Sequence, residues 1–471
     1  MSTDLSIPSS DSALVSRRSF LGAAAASSAA FTILPSHLLG QEGKTAPSKK
    51  VNVAIIGTGG QGIVNMRALL DEPDAQIVAL CDINPESDYS MFYYGGKAGL
   101  NPASELVKEK YGQACPTYNN YHEMLDREDI DAVLVATPDH SHGMIALDVI
   151  AKGKHIYCEK PLCRTVYETR RVTEAAKQAG VATQLGNYGH SSEDIRILCE
   201  WIWDGAIGDV TEVHAWTTTG ARRWTEFTER PTEQPPVPEG FDWQQWLGPV
   251  RDRPYHPAYA PVRWRAWWQF GSGTIGDFAC HHLDSAFWAL KLDQCNSFDI
   301  DASSHGATDE TCPGASIIYF DVPARAGMKP VRIHWYEGGV MPPRPAELEA
   351  RRSLGDHGVL FKGTKGSILG GGWARSPRII PEEKMRAYKR PEKTIARVPG
   401  HHRDWINACL GKGAASTHFD YSGPLTEFTL MGNVALRSRT KLNFDWKNLN
   451  VTNFADANKF IKPEFREGIN I

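Results

Sequence analysis

The stretch that decides the fold is Val51-Asn52-Val53-Ala54-Ile55-Ile56-Gly57-Thr58-Gly59-Gly60-Gln61-Gly62. A mainly apolar run reads as a buried strand, and a G-x-G-x-x-G turn follows it at once. The first glycine lets the chain turn tightly off the strand. The second lets backbone approach a pyrophosphate, and the third lets helix pack on strand. Residues 61–71 then carry Ile63, Met66, Ala68, Leu69 and Leu70 as an amphipathic helix, and Gln76-Ile77-Val78-Ala79-Leu80-Cys81 is a second buried strand ending at Asp82. Strand, glycine turn, helix, strand and acid form the order a dinucleotide site needs. Gly57, Thr58, Gly59, Gln61 and Gly62 are therefore expected around the phosphates, on a helix N-terminus with free N–H groups. Asp82 is placed to accept hydrogen bonds from the adenosine ribose and to repel a 2′-phosphate, so NAD is expected rather than NADP.

The strand and helix alternation continues outward to about Gly186, as a doubly wound parallel sheet requires. Residues 131–136 form a further strand that runs into Thr137-Pro138-Asp139-His140-Ser141-His142, a loop at the carboxyl end where ligands bind in such sheets. Residues 154–158 lead into Glu159-Lys160-Pro161, where Pro161 confines Lys160 to extended conformations at the strand end. From Asn187 the texture changes. A helix over 193–204 precedes strands near 210–216, 315–320, 331–335 and 358–362, and helices follow over 400–410 and 424–441. Consecutive strands without intervening helices favour an antiparallel sheet. The expected architecture is a Rossmann-like α/β domain over 50–186 and an α+β domain over 187–471 with a large, mainly antiparallel sheet. Within the second lies a tryptophan-rich stretch, 217–269, including Trp264, which reads as an ordered loop or lid. Its rings suit either a sugar-stacking wall or ordinary packing.

Ahead of the fold, Ser16-Arg17-Arg18-Ser19-Phe20-Leu21 leads into an alanine run. That is a twin-arginine export pattern, giving a signal and linker over 1–46, the twin-arginine machinery as a partner and a periplasmic or exported location. Its apolar part is too short to span a bilayer, so no membrane anchor is expected. The net charge of −4, with no basic run, points away from nucleic acid. Nine cysteines without a CxxC pair read as buried thiols rather than a disulfide framework.

Gly276-Asp277-Phe278-Ala279-Cys280-His281-His282-Leu283-Asp284 sets Asp277 and His281 four residues apart, on one face if helical. With Lys160 brought from the first domain, an acid, a base and a cation suit alcohol oxidation: imidazole takes the hydroxyl proton and the ammonium steadies the oxygen. Asp277 orients substrate or imidazole in this reading, although the same spacing also fits a solvated face or a cap. His281, His282 and Asp284 lack zinc-motif spacing, and no metal is expected.

The glycine fingerprint, Thr137-Pro138 with His142, Glu159-Lys160-Pro161 and the Asp277-xxx-His281 segment together resemble the Gfo/Idh/MocA oxidoreductases. The resemblance implies that Lys160, Asp277 and His281 surround the reacting hydroxyl with His281 as acid/base, and that Pro138, His142 and Glu159 lie beside the nicotinamide, with Thr137 a further cofactor-binding candidate. It also implies a homo-oligomer. Where many members carry an arginine-containing turn, this chain has Gly186-Asn187-Tyr188-Gly189-His190-Ser191. Asn187 and His190 are therefore candidate substrate contacts, with His190 equally readable as a neighbour of the helix-capping Ser191 or Ser192. The expected function is hydride transfer between a sugar or polyol hydroxyl and tightly held NAD in an exported enzyme. The rivals are an NAD-dependent glycosidase that oxidises its sugar transiently, and a non-catalytic sugar-binding protein.

Overall fold

The computed structural model describes residues 49–91, 95–469 and 471. The twin-arginine segment expected over 1–46 lies outside the described residues. Val51–Ile56 (β1), Ala75–Cys81 (β2), Thr117–Tyr118 (β3), Ala132–Val135 (β4), His155–Cys158 (β5) and Thr183–Leu185 (β6) form one parallel sheet in the order β3-β2-β1-β4-β5-β6. This is a doubly wound order whose direction reverses between β1 and β4, so the crevice for a ligand opens at their carboxyl ends. The crossovers carry helices Gly60–Leu70 (α1), Leu100–Tyr111 (α2), Asp139–Ala151 (α3) and Val166–Ala179 (α4). Both sheet faces are covered: Val53, Ile55, Ile77 and Leu134 pack with Ile63, Met66 and Leu69 of α1, whereas Ala54, Ile56, Val133 and Val135 pack with Ile145 and Val149 of α3. Burial on both sides explains why these strands are continuous apolar runs.

After Glu193–Trp203 (α5) comes a nine-stranded sheet: Val210–Thr217 (β7), Ser297–His305 (β8), Ala315–Val322 (β9), Val331–Glu337 (β10), His357–Gly363 (β11), Ser367–Gly371 (β12), Arg378–Ile380 (β13), Leu442–Asp445 (β14) and Asn450–Val451 (β15). Its order is β13-β12-β11-β7-β10-β9-β8-β14-β15, antiparallel throughout except for the β7–β10 pair. One face packs on α5 and on Phe419–Ser438 (α7, with His401–Cys409 preceding it as α6) through Leu198, Ile318, Phe320, Ile333 and Phe428.

The later chain also serves the first sheet. Trp405 and Ile406 of α6 join the cluster of Val53 and Ile55, and β6 is held by Leu185 N–H donating to Thr417 O at 3.0 Å and Gln184 Nε2 donating to His401 O at 2.7 Å. The last long helix starts a turn ahead of Pro424. Proline reads as a first-turn residue, but Phe419 N–H is anchored on Thr183 Oγ1 at 2.9 Å and its ring is buried under the parallel sheet. Residues 217–269 are ordered by a core of their own, in which Phe241, Trp243, Trp246, Tyr259, Trp267 and Phe270 interlock. All nine cysteines are free thiols, and no described helix is long and apolar enough to cross a membrane.

Candidate active site

A cavity of about 790 Å³ runs from the carboxyl end of β1 into the space between the two sheets. Gly57, Gly59, Gly60, Gln61, Asp82 and Asn84 line one end; Lys160, Tyr188, Trp264, Arg265, Asp277 and His281 line the other. The glycine turn fits a dinucleotide. Gly57 has φ +89°, and a Cβ there would lie 2.6 Å from Ala136 O. A Cβ on Gly62 would lie 2.0 Å from Gly57 O, so only glycine lets α1 sit this close to the turn. The first-turn N–H groups of α1 have no partners within the helix and suit phosphate oxygens. Asp82 is drawn in by the turn itself: Oδ2 accepts from Thr58 N–H at 2.7 Å and from Thr58 Oγ1 at 3.1 Å, and Oδ1 accepts from Asn84 N–H at 2.9 Å. A carboxylate offers about four acceptor positions, so one remains for a ribose hydroxyl.

At the other end, Lys160 Nζ donates to Asp277 Oδ1 at 2.6 Å and to Asp277 O at 2.9 Å, and Arg265 Nε lies 3.7 Å from the same Oδ1. Asp277 sits in a single π-helical turn, Ile275–Ala279, a local widening often found at functional sites. Burial opposes both charges of the pair, but each partner overrides it. Asp277 holds the Lys160 ammonium above its usual range, and Lys160 with Arg265 holds the Asp277 carboxyl below its own.

His281 is oriented from behind. Its Nδ1 lies 2.6 Å from Asn187 Oδ1, and Asn187 Nδ2 donates to Asp284 Oδ2 at 2.9 Å. Asp284 Oδ1 accepts from Tyr421 Oη at 2.5 Å and faces His190 Nδ1 at 3.0 Å. A carboxylate only accepts, so the Asn187 amide must turn its NH₂ to Asp284 and its oxygen to His281. That makes Nδ1 the protonated nitrogen and leaves Nε2 as an open lone pair without a partner among the described residues. Burial, then the nearby Lys160 charge, keeps the imidazole pKa well below its ordinary value, so the ring is neutral at pH 7. The arrangement is a neutral base beside a fixed cation, which can hold or release one proton at Nε2 next to a hydroxyl steadied by Nζ.

The sequence-based candidates thus divide. Gly57, Gly59, Gln61, Asp82, Thr137, Pro138, Glu159, Lys160, Asp277, His281 and Trp264 all line the cavity. Thr58 and Gly62 lie behind it, fixing Asp82 and the helix. Three expectations are corrected and a fourth is narrowed. His142 does not face the cavity: it is 1% exposed, with Nδ1 2.9 Å from Pro161 O and Nε2 2.8 Å from Thr137 O. Two carbonyls require two N–H donors, so it is an imidazolium clamping the two loops; burial opposes that charge, but the Cys158 sulfur and Asp139 raise its pKa to about 10. Asn187 and His190 are equally remote from substrate, 0% and 2% exposed, because Asp284 draws both inward. Asp277 does not orient the imidazole, since Lys160 takes its carboxylate and Asn187 does the orienting.

Sequence reasoning missed Arg223, Arg265, Tyr188, His357, Trp373 and Arg375, all of which line the reacting end. Arg265 sits in Trp264-Arg265-Ala266-Trp267, where no spacing distinguishes it. Among the described residues, the cluster of ligand atoms compact enough for a metal is Glu212, His214 and His334, outside the cavity.

Comparisons with known proteins identify the family. Residues 51–187 match the Gfo/Idh/MocA description "Oxidoreductase family, NAD-binding Rossmann fold", and residues 194–320 match its "C-terminal alpha/beta domain". A "Glycosyl hydrolase family 109 protein" of Stenotrophomonas maltophilia is 29% identical over 42% of this chain and 41% of its own. The "Inositol 2-dehydrogenase" of Salmonella typhimurium is 26% identical over 35% of this chain and 45% of its own. The chain therefore spans under half the length of the curated relatives it matches. An NAD-binding protein from Listeria innocua shares the fold, with TM-score 0.56 and 18% identity over 84% of this chain and 97% of its own. With the doubly wound sheet, the glycine cradle and both matched segments in place, the chain belongs to the Gfo/Idh/MocA oxidoreductase family and binds NAD in its Rossmann domain.

Proposed function

We propose that this protein interconverts a secondary alcohol and a ketone on a sugar or polyol. The observation that carries this reading is the Asp284–Asn187–His281 chain, which aims the neutral Nε2 at a cavity where Lys160 and Asp277 meet. When bound, NAD supplies the two-electron acceptor for the hydrogen leaving carbon. His281 Nε2 takes the hydroxyl proton, Lys160 Nζ steadies the oxygen, and Asp277 keeps that ammonium in place. Trp264 and Trp224 wall the cavity and exclude water from the reacting carbon. The 26% identity to an inositol 2-dehydrogenase supports a polyol-like substrate. Positioned acid/base catalysis is worth about a hundred- to ten-thousand-fold, so Lys160→Met and His281→Ala should each lower turnover by about that factor while NAD binding survives. Near wild-type rates in both variants would overturn the assignment.

A second reading is favoured by the 29% identity to a glycosyl hydrolase family 109 protein: transient oxidation of a glycoside that ends in cleavage, with NAD restored in each cycle. Release of aglycone from an aryl glycoside without net NADH supports cleavage; net NADH from a free polyol supports the dehydrogenase. The Arg17-Arg18 segment supports export of the folded, NAD-loaded protein to the periplasm, a placement that fractionation of expressing cells tests.

A further inference from the structure

The reacting end of the cavity holds more positive charge than its chemistry requires. Its acids are already answered: Asp277 by Lys160 and Arg265, Glu159 by Asn65 Nδ2 at 2.8 Å and the Lys160 N–H at 3.2 Å, and Asp139 by Ser272. Two guanidiniums lining the same cavity, Arg223 and Arg375, are exposed and pair with no carboxylate among the described residues. Neither is loose. Arg375 Cζ lies 5.2 Å from the ring centre of Trp373, and Trp373 stands 5.6 Å from His281 and 5.9 Å from Tyr188. Arg223 Cζ lies 5.3 Å from Trp224, which also carries Arg265 at 5.2 Å. Arg223 acts electrostatically on both Asp277 and His357, and Arg375 on Tyr188, so both cations bear on the space around His281. Stacking on an indole holds a guanidinium in advance of binding, which lowers the ordering cost of a charge-assisted hydrogen bond.

We infer that the site takes a sugar or polyol bearing a carboxylate, held at the cavity rim by Arg223 and Arg375 while its reacting hydroxyl lies at His281. The planar fork of each guanidinium matches the two oxygens of a carboxylate, whereas a neutral hydroxyl would leave both charges unanswered. The inference names a substrate class for the activity proposed above and rests on that reading for the hydroxyl's position, though not for the carboxylate's.

Titration of the NAD-loaded protein with D-glucuronate and, separately, with D-glucose tests it. Glucuronate is expected to bind at least about ten-fold tighter at low ionic strength, the margin expected of a charge-assisted contact. The margin should shrink with added salt. In R223Q, in R375Q and most fully in the double variant, glucuronate should weaken toward glucose, with glucose affinity unchanged. Both side chains are exposed, so thermal melting should stay at the native value. Equal affinities, binding of neither sugar, or a preference that survives in the double variant overturns the inference. NADH absorbance on the same mixtures separates the two readings. NADH formed equally well from both sugars refutes the carboxylate subsite and leaves the dehydrogenase standing. A glucuronate preference that depends on the two arginines, without any NADH, leaves the subsite and refutes the dehydrogenase.

Discussion

Replacing Asn187 by alanine removes the acceptor that fixes His281 without touching a residue that reaches substrate. The lost bond is short, 2.6 Å, and 0% of Asn187 is exposed, so water cannot replace it. As His281 takes a proton, its Nδ1–H donates from an imidazolium, and bonds of that kind are worth about 1.5–3 kcal/mol. At about 1.4 kcal/mol per factor of ten, Asn187→Ala should cost about ten- to hundred-fold in kcat. KM and NAD affinity should hardly change, because neither ligand meets Asn187. Steady-state kinetics with a polyol and NAD, alongside fluorescence titration of NAD, reads both quantities. Nitrogen NMR of labelled histidine adds a readout that a purely structural role would not move, since native His281 should carry its proton on Nδ1. A variant within two-fold of native kcat, a parallel loss of NAD binding, or an Nε2-protonated ring in the native protein would overturn this role for Asn187.

Further outcomes follow from the same geometry. Gly62→Ala should sharply weaken NAD binding and lower Tm, because its Cβ would overlap Gly57 O at 2.0 Å; retention of both would show that the helix can shift away. Asp82→Ala should narrow or reverse a preference for NAD over NADP, measured as a ratio of dissociation constants, because the carboxylate that repels a 2′-phosphate is gone. Stability should fall on acidification: burial holds His282 at about 3, below the unfolded value of about 6.5, so unfolding takes up a proton between those limits. This costs about 1.4 kcal/mol per pH unit below 6.5, and chemical denaturation at pH 7 and 5 checks the sign. His142 works oppositely: raised to about 10, it stabilises fully below about 6.5 and its contribution is lost as pH rises through about 10. His142→Ala should therefore flatten the alkaline limb of the stability curve.

How much was legible in the sequence depends on the range of the interaction concerned. The glycine turn, its flanking strands and Asp82 act over neighbouring residues, and their backbone demands are written in residue type: no side chain can occupy Gly57 or Gly62. The apolar runs of β1, β2 and β4 state burial on both faces, and the alternation of β9, buried at Ser316, Ile318, Phe320 and Val322, states burial on one. Lys160, Asp277 and His281 were nameable because a motif carries each of them. The roles of Asn187, His190, His142 and Asp277 were not, since each depends on a partner far along the chain. Asn187 meets His281 and Asp284 only once α5 and the segment after Trp264 pack together. His142 becomes a clamp only because Thr137 O and Pro161 O converge on it from two strand ends. Arg223, Arg265 and Arg375, spread over more than 150 residues, line one cavity for the same reason. Backbone conformation and burial pattern are local properties that sequence determines by itself; the pairing of polar groups across the cavity is a long-range result of packing, and only the tertiary structure decides it.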